Sequence, residues 1–226
     1  MKGLLSAIFN YGKRLRSTRA ATSRGVAVSA RFQEYKAGAE RGEAEAQFNL
    51  GFCYDDGRGV EKDHAEAVKW YRKAAEQNYA PAQFNLGYCY ANGQGVGKDK
   101  AEAVKWFRKA AEQNYAPAQS NLGYCYDNGR GVEKDAEEAT KWYRKAAEQG
   151  HPEGQLNLGY CYANGQGVEQ DIVEAYAWFS IAAKADPDAA ESRDLLRKVL
   201  TPQQFTDAQK RTKQLRLQIK PKPPTP

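Results

Sequence analysis

Apolar residues return along this chain with a helical period, in two alternating phases. Over 99–113, Ala103, Trp106, Phe107, Ala110 and Ala111 fall at i, i+3, i+4, i+7 and i+8, one stripe of an amphipathic helix. The preceding stretch predicts another helix, beginning at Pro81, whose missing N–H would have no partner at the first helical position, and stopping near Asn92-Gly93. At 100° per residue, Gln83, Leu86, Gly87 and Tyr90 share an arc expected to face the paired helix, while Asn85, Tyr88, Cys89 and Asn92 share another. Gly93-x-Gly95 between the two helices reads as a chain reversal. It lacks the third glycine or the Lys-Ser/Thr that a phosphate loop requires. Asp99-x-x-Glu102 then has the spacing of a capping box, with the aspartate taking a backbone N–H and the glutamate reaching back. Such acid pairs read as caps, not as a general acid and base.

This helix pair is repeated. Cys53, Cys89, Cys125 and Cys161, like Trp70, Trp106, Trp142 and Trp178, recur every 36 residues. The units can be written 46–81, 82–117, 118–153 and 154–189, and the first two agree at 29 of 36 positions, which excludes coincidence. The acid pairs recur as Asp63/Glu66, Asp135/Glu138 and Asp171/Glu174. Residues 34–45 match only the second half of a unit, so the array over 34–189 opens on a half repeat. A single unit of this length cannot bury its own apolar face and becomes stable by stacking on its neighbours. The fold class is therefore all-α, a solenoid of about four 36-residue helix pairs plus the half repeat.

Stacking copies the second arc of the first helix into ladders. These are Asn49, Asn85, Asn121 and Asn157; Phe52, Tyr88, Tyr124 and Tyr160; and Asp56, Asn92, Asn128 and Asn164. Amides and phenols can hold peptide backbone or carboxylates while offering flat apolar area. Two readings stay open, bracing between neighbouring helices and contact with a ligand. The cysteines read as packed, reduced thiols: equivalent positions on stacked helices lie about 9–10 Å apart, and a disulfide needs Cα atoms within about 7 Å. His64 and His151 have no ligand spacing with them, so no metal is expected.

Charge divides the chain in a way the net +6 conceals. Residues 1–33 carry seven basic residues and no acid, 203–226 carry six basic and one acidic, and the remainder sums to −6. Basic ends on an acidic body suit an acidic partner or an anionic surface. The apolar segment Leu4 to Phe9 is too short for an ordinary secretory signal, and no run reaches a membrane span. Residues 1–33 read as a basic arm, an amphipathic membrane-surface helix, an organelle-targeting segment, or a helix covering the first half repeat. Leu195, Leu196, Val199 and Leu200, then the cap Thr201-Pro202-Gln203-Gln204, predict capping helices over 190–219 before a Pro-rich tail, 220–226.

The motifs Ala-x-x-x-Leu-Gly-x-x-Tyr, Gly-x-Gly-Val-x-x-Asp, Ala-x-x-Trp-aromatic and Ala-Ala at this period resemble the Sel-one-like repeat family, relatives of tetratricopeptide repeats. The resemblance implies a right-handed α-α superhelix whose first helices line the concave side, and an adaptor role in assembling complexes. It also implies that a C-terminal helix of this kind shields the last repeat. A secreted branch of that family bonds two cysteines within each repeat, whereas this chain has one per repeat.

The function expected is a noncatalytic scaffold that binds a protein or peptide segment along the concave ladders. No Ser/His/Asp or Cys/His arrangement recurs, so neither an enzyme nor a cofactor is expected. The alternative is nucleic-acid or anionic-membrane binding through the basic termini. Base reading by the repeats is disfavoured, because the body is acidic and its ladder positions hardly vary. A cytoplasmic location is expected, with an organelle or a membrane surface as the alternative through 1–33.

Overall fold

A computed structural model describes residues 30–219, and every regular element among them is a helix. The order is α1 (30–40), α2 (Ala44–Asp56), α3 (His64–Glu76), α4 (Ala80–Asn92), α5 (Lys100–Glu112), α6 (Ala116–Asn128), α7 (Ala136–Glu148), α8 (Pro152–Asn164), α9 (Ile172–Ala182), α10 (Pro187–Val199) and α11 (Pro202–Gln218). The expectations placed on residues 1–29 and on the tail from 220 lie outside the described residues. The described residues divide into two compact units, 30–82 with 94–96 and 83–93 with 97–219.

In the first unit, α1, α2 and α3 share a core of Phe32, Ala39, Leu50 and Cys53, flanked by Tyr35, Tyr54, Val60 and Trp70. Phe32 belongs to the segment read as a basic arm, yet α1 already begins at residue 30 and packs this ring edge-on against Tyr54, 5.8 Å between centroids. Gly51 lets α2 press against α3: a Cβ there would lie 2.8 Å from the Tyr71 ring. The buried amide of Gln47 accepts from Gln77 at 2.7 Å and donates to the Ala39 carbonyl at 3.3 Å, tying the three helices together.

The second unit repeats this grammar. Gly87, Gly123 and Gly159 sit against Phe107, Tyr143 and Phe179, with a Cβ at Gly123 only 2.7 Å from the Tyr143 ring. Each first helix thus approaches its partner too closely for any side chain. Gln119 joins successive pairs, donating to the Ala111 carbonyl of α5 at 3.1 Å and accepting from Gln149 beyond α7 at 2.6 Å. Trp106 and Trp142 are 8% exposed and Trp178 2%, so these three pack into the core, whereas Trp70 of the first unit is half-buried. Burying such a ring contributes about 3 kcal/mol. That outweighs the exposed Lys105–Glu102 and Lys141–Glu138 pairs, worth about 0.3–0.5 kcal/mol each.

The aspartates cap as expected: Asp99 and Asp135 accept the backbone N–H groups of Glu102 and Glu138 at 2.9 and 3.0 Å. The glutamates do not reach back, because the cap N–H groups are already taken. Those of Asp99, Asp135 and Asp171 donate to the Tyr90, Tyr126 and Tyr162 carbonyls of the preceding helix at 2.9, 3.0 and 3.0 Å. A full reciprocal capping box forms only at Thr201 and Gln204 of α11, among the described residues.

At the C-terminal end, α9 stops at Ala182 and Pro187 starts α10. α11 locks onto α9 through Arg211, whose guanidinium donates to both oxygens of Glu174 at 2.6 and 2.9 Å. The same carboxylate accepts the Trp178 indole N–H at 3.2 Å. Of the apolar residues that suggested a closing helix, Leu200 is buried, while Leu195 and Val199 stay exposed.

Candidate functional site

Helical phase decides what each first helix shows to solvent. Leu86, Leu122 and Leu158 turn inward and are fully buried, as is Cys89 although it shares the ladder arc. Two positions on from each leucine the aromatic emerges: Tyr88 is 51% exposed, and Tyr124 and Tyr160 38%. Asn85, Asn121 and Asn157 are half-buried, and Asn92, Asn128 and Asn164 exposed. In the first unit α2 presents Asn49 half-buried and Phe52 and Asp56 exposed. There Arg58 lies over the Phe52 ring at 4.8 Å and pairs with Asp56 at 2.5 Å.

The ladder amides are already committed on one side. Asn92 and Asn128 donate through Nδ2 to the Tyr88 and Tyr124 carbonyls, each at 3.0 Å, and Asn121 donates to Pro117 at 3.1 Å. Oδ1 and the second Nδ2 hydrogen are left to meet a ligand, so these groups still offer an acceptor. Tyr160 is engaged differently, its hydroxyl 2.9 Å from Ser192 of α10 and its ring edge-on to Phe179 at 5.1 Å.

Between α4 and α6 the second unit holds a cavity of about 450 Å³, lined in part by Tyr88, Asn92, Asn121 and Tyr124 of the ladders. Lys98, Lys100 and Arg130 supply its charge. The Arg130 guanidinium lies over the Tyr124 ring, 4.7 Å from its centre. Sequence reasoning passed over these cations. Their signal is variation between repeats: Ala136 and Gln166 stand one unit on from Lys100 and Arg130, although Arg58 shares the position of Arg130.

Cys125 also lines the cavity but is not set up as a nucleophile. Burial pushes its thiol up to about 11, against a smaller opposite pull from Arg130. Burial likewise raises the Cys53 and Cys161 thiols. All four cysteines are free and buried. Among the described residues no cluster of His, Cys, Asp or Glu could hold a metal ion, and no helix is long and apolar enough to cross a membrane.

The family model described as Sel1 repeat matches residues 44–79, 80–115, 116–151 and 152–187. A protective antigen present in uropathogenic Escherichia coli strains, displaying an SLR fold, is 40% identical with a TM-score of 0.78 over 83% of this chain. The match spans 41% of the antigen, so this chain corresponds to about two fifths of it. A Sel1 repeat protein from Oxalobacter formigenes is 38% identical with a TM-score of 0.67, over 86% of this chain and 78% of that one. An immunity protein from Pseudomonas aeruginosa, 22% identical over 82% of this chain and 73% of its own with a TM-score of 0.51, shares the fold alone. Among curated protein sequences none matches the chain. Four matched repeats, built as consecutive helix pairs with the solenoid neighbours expected, leave one conclusion: the chain belongs to the Sel1 repeat family, whose members are generally noncatalytic scaffolds for protein interaction.

Proposed function

We propose that this chain is a noncatalytic adaptor that captures an extended segment of a partner protein along the first-helix ladders. The observation that carries the reading is the pair of exposed tyrosines, Tyr88 and Tyr124, bordering a cavity beside amides that are held by one internal hydrogen bond each and keep their oxygens free. Rings give apolar area with few rotors to freeze, and amide oxygens accept peptide N–H groups. An affinity of about 1 μM, near 8 kcal/mol, suits a groove of this kind. The twelve ladder residues, from Asn49, Phe52 and Asp56 to Asn157, Tyr160 and Asn164, are the contacts proposed. The free thiols favour a reducing compartment, the cytoplasm. The test replaces Asn85, Tyr88, Asn121 and Tyr124 by alanine and compares affinity capture by the folded variant with that by the parent chain. Proteins retained by the parent should be lost from the variant, with helical content unchanged; retention of the same proteins by both would sink the assignment.

A further inference from the structure

We infer that the cavity between α4 and α6 is a subsite for the carboxylate side chain of an acidic peptide segment; this rests on the adaptor reading and names what its groove prefers. The repeat body is acidic, −6 over 34–202, so the composition of this cavity runs against its surroundings. Lys98, Lys100 and Arg130 line it, and no Asp or Glu is among its lining residues, Asp99 between the two lysines being taken up as the cap of α5. Three lysines at one position of the second helices are neutralised within their own helix, Lys69, Lys105 and Lys141 pairing with Glu66, Glu102 and Glu138 at 2.7, 2.8 and 2.8 Å. Among the described residues Lys98, Lys100 and Arg130 form no ion pair. Stacking on Tyr124 restrains the Arg130 guanidinium, which lowers the entropy lost when it grips a carboxylate.

The neighbouring groups favour a peptide as the bearer of that charge. Asn92 and Asn121 each spend one Nδ2 hydrogen on the Tyr88 and Pro117 carbonyls and keep Oδ1, an acceptor, for a ligand. Free amide oxygens suit backbone N–H groups, which a peptide supplies in series and a small inorganic anion does not. The subsite is also specific to one register. One repeat on, Ala136 and Gln166 replace Lys100 and Arg130, and Asp127 replaces Ala91, so two cations are lost and an acid gained. The array would therefore seat an acidic side chain at α4–α6 and nowhere equivalent along α6–α8, which fixes the position of the segment in the groove.

The experiment titrates the full chain into a fluorescein-labelled, end-capped peptide of alternating Glu and Leu, with the Gln/Leu peptide as its neutral twin, and reads fluorescence anisotropy. The Glu peptide should bind at least tenfold tighter than its twin, and added salt should weaken it. Lys100→Ala with Arg130→Gln installs the residues of the next register, so the double variant should fold; circular dichroism checks this. It should abolish the tenfold preference and leave the Gln peptide unchanged. Equal binding of the two peptides, no binding of either, or an undiminished preference in the double variant overturns the subsite. Displacement of the Glu peptide by millimolar inorganic phosphate overturns the carboxylate assignment. Tyr88→Ala with Tyr124→Ala separates this failure from that of the adaptor reading: weakening of both peptides keeps the ladder as the binding face even where charge plays no part.

Discussion

Gly131 carries one of the tightest constraints in the second unit. Its φ is +76°, where an L side chain costs about 1–2 kcal/mol, and a Cβ would run into the backbone carbonyl of Lys100 at the start of α5. The obstacle is main chain, so no rotamer change relieves it and the loop must retreat from the helix it rests on. Gly129, by contrast, closes α6 in the left-handed region with its nearest neighbour 3.5 Å from a Cβ, so only the backbone cost applies there. Gly131→Ala is expected to destabilise the protein by about 3 kcal/mol, the conformational cost plus overpacking, and Gly129→Ala by about 1 kcal/mol. Urea midpoints of the two variants check the ranking, and equal midpoints would mean that the second glycine only turns the chain. The two roles of Gly-x-Gly are indistinguishable in the sequence because only stacking brings Lys100 within reach.

Helix starts show the same division between what a local pattern dictates and what packing decides. The Asp-x-x-Glu spacing is enough to locate the second helix of each repeat, and the aspartates do cap. The fate of the glutamates depends on whether the cap N–H is free, which is a tertiary matter: the Tyr126 carbonyl takes the Asp135 donor at 3.0 Å, leaving Glu138 to Lys141. Asp135→Ala should therefore cost about 1 kcal/mol, an ordinary N-cap loss. Glu138→Ala should cost no more than about 0.5 kcal/mol, the value of an exposed pair. Thermal unfolding of both resolves the two, and a glutamate variant as damaging as the aspartate one would restore the reciprocal box. Where the cap N–H is free, at Thr201, the box closes on both sides, with Gln204 returning to it at 3.0 Å. The buried Gln119 bridge follows the same logic. A glutamine recurring every 36 residues on an otherwise apolar arc is visible in the sequence, but its partners, Ala111 and Gln149, lie on two other elements.

At the scale of the whole molecule, period, pairing and ladder phase are legible because each repeats; the cationic cavity is not, because it needs one position that varies, Lys100, to meet Lys98 and an arginine from the following repeat. Repetition also shapes how the second unit should open. In a stacked array each pair is held by its neighbours, so weakening one end propagates with decreasing strength. Cys125 and Cys161 report on this from equivalent positions in α6 and α8, both buried and both with thiols raised by burial. In the unfolded chain Cys125 loses its proton near 9.0 and in the folded chain near 11, so ionisation favours unfolding. The stability it contributes is complete below the ordinary thiol range and fades as the pH rises towards 11. At pH 8 both thiols stay protonated in the folded protein, and alkylation by iodoacetamide proceeds only through opening. Arg211→Met removes the cation that answers the buried Glu174 carboxylate and frees α11 from α9, a loss of about 1.5–3 kcal/mol at that end. Cys161, whose helix α8 pairs with α9, should then label at least tenfold faster, while Cys125, one repeat further in, accelerates less. Mass spectrometry of the alkylated peptides over time gives both rates. Equal acceleration at the two sulfurs would show that the second unit opens as one cooperative block, with Arg211 stabilising all of it and not its end alone.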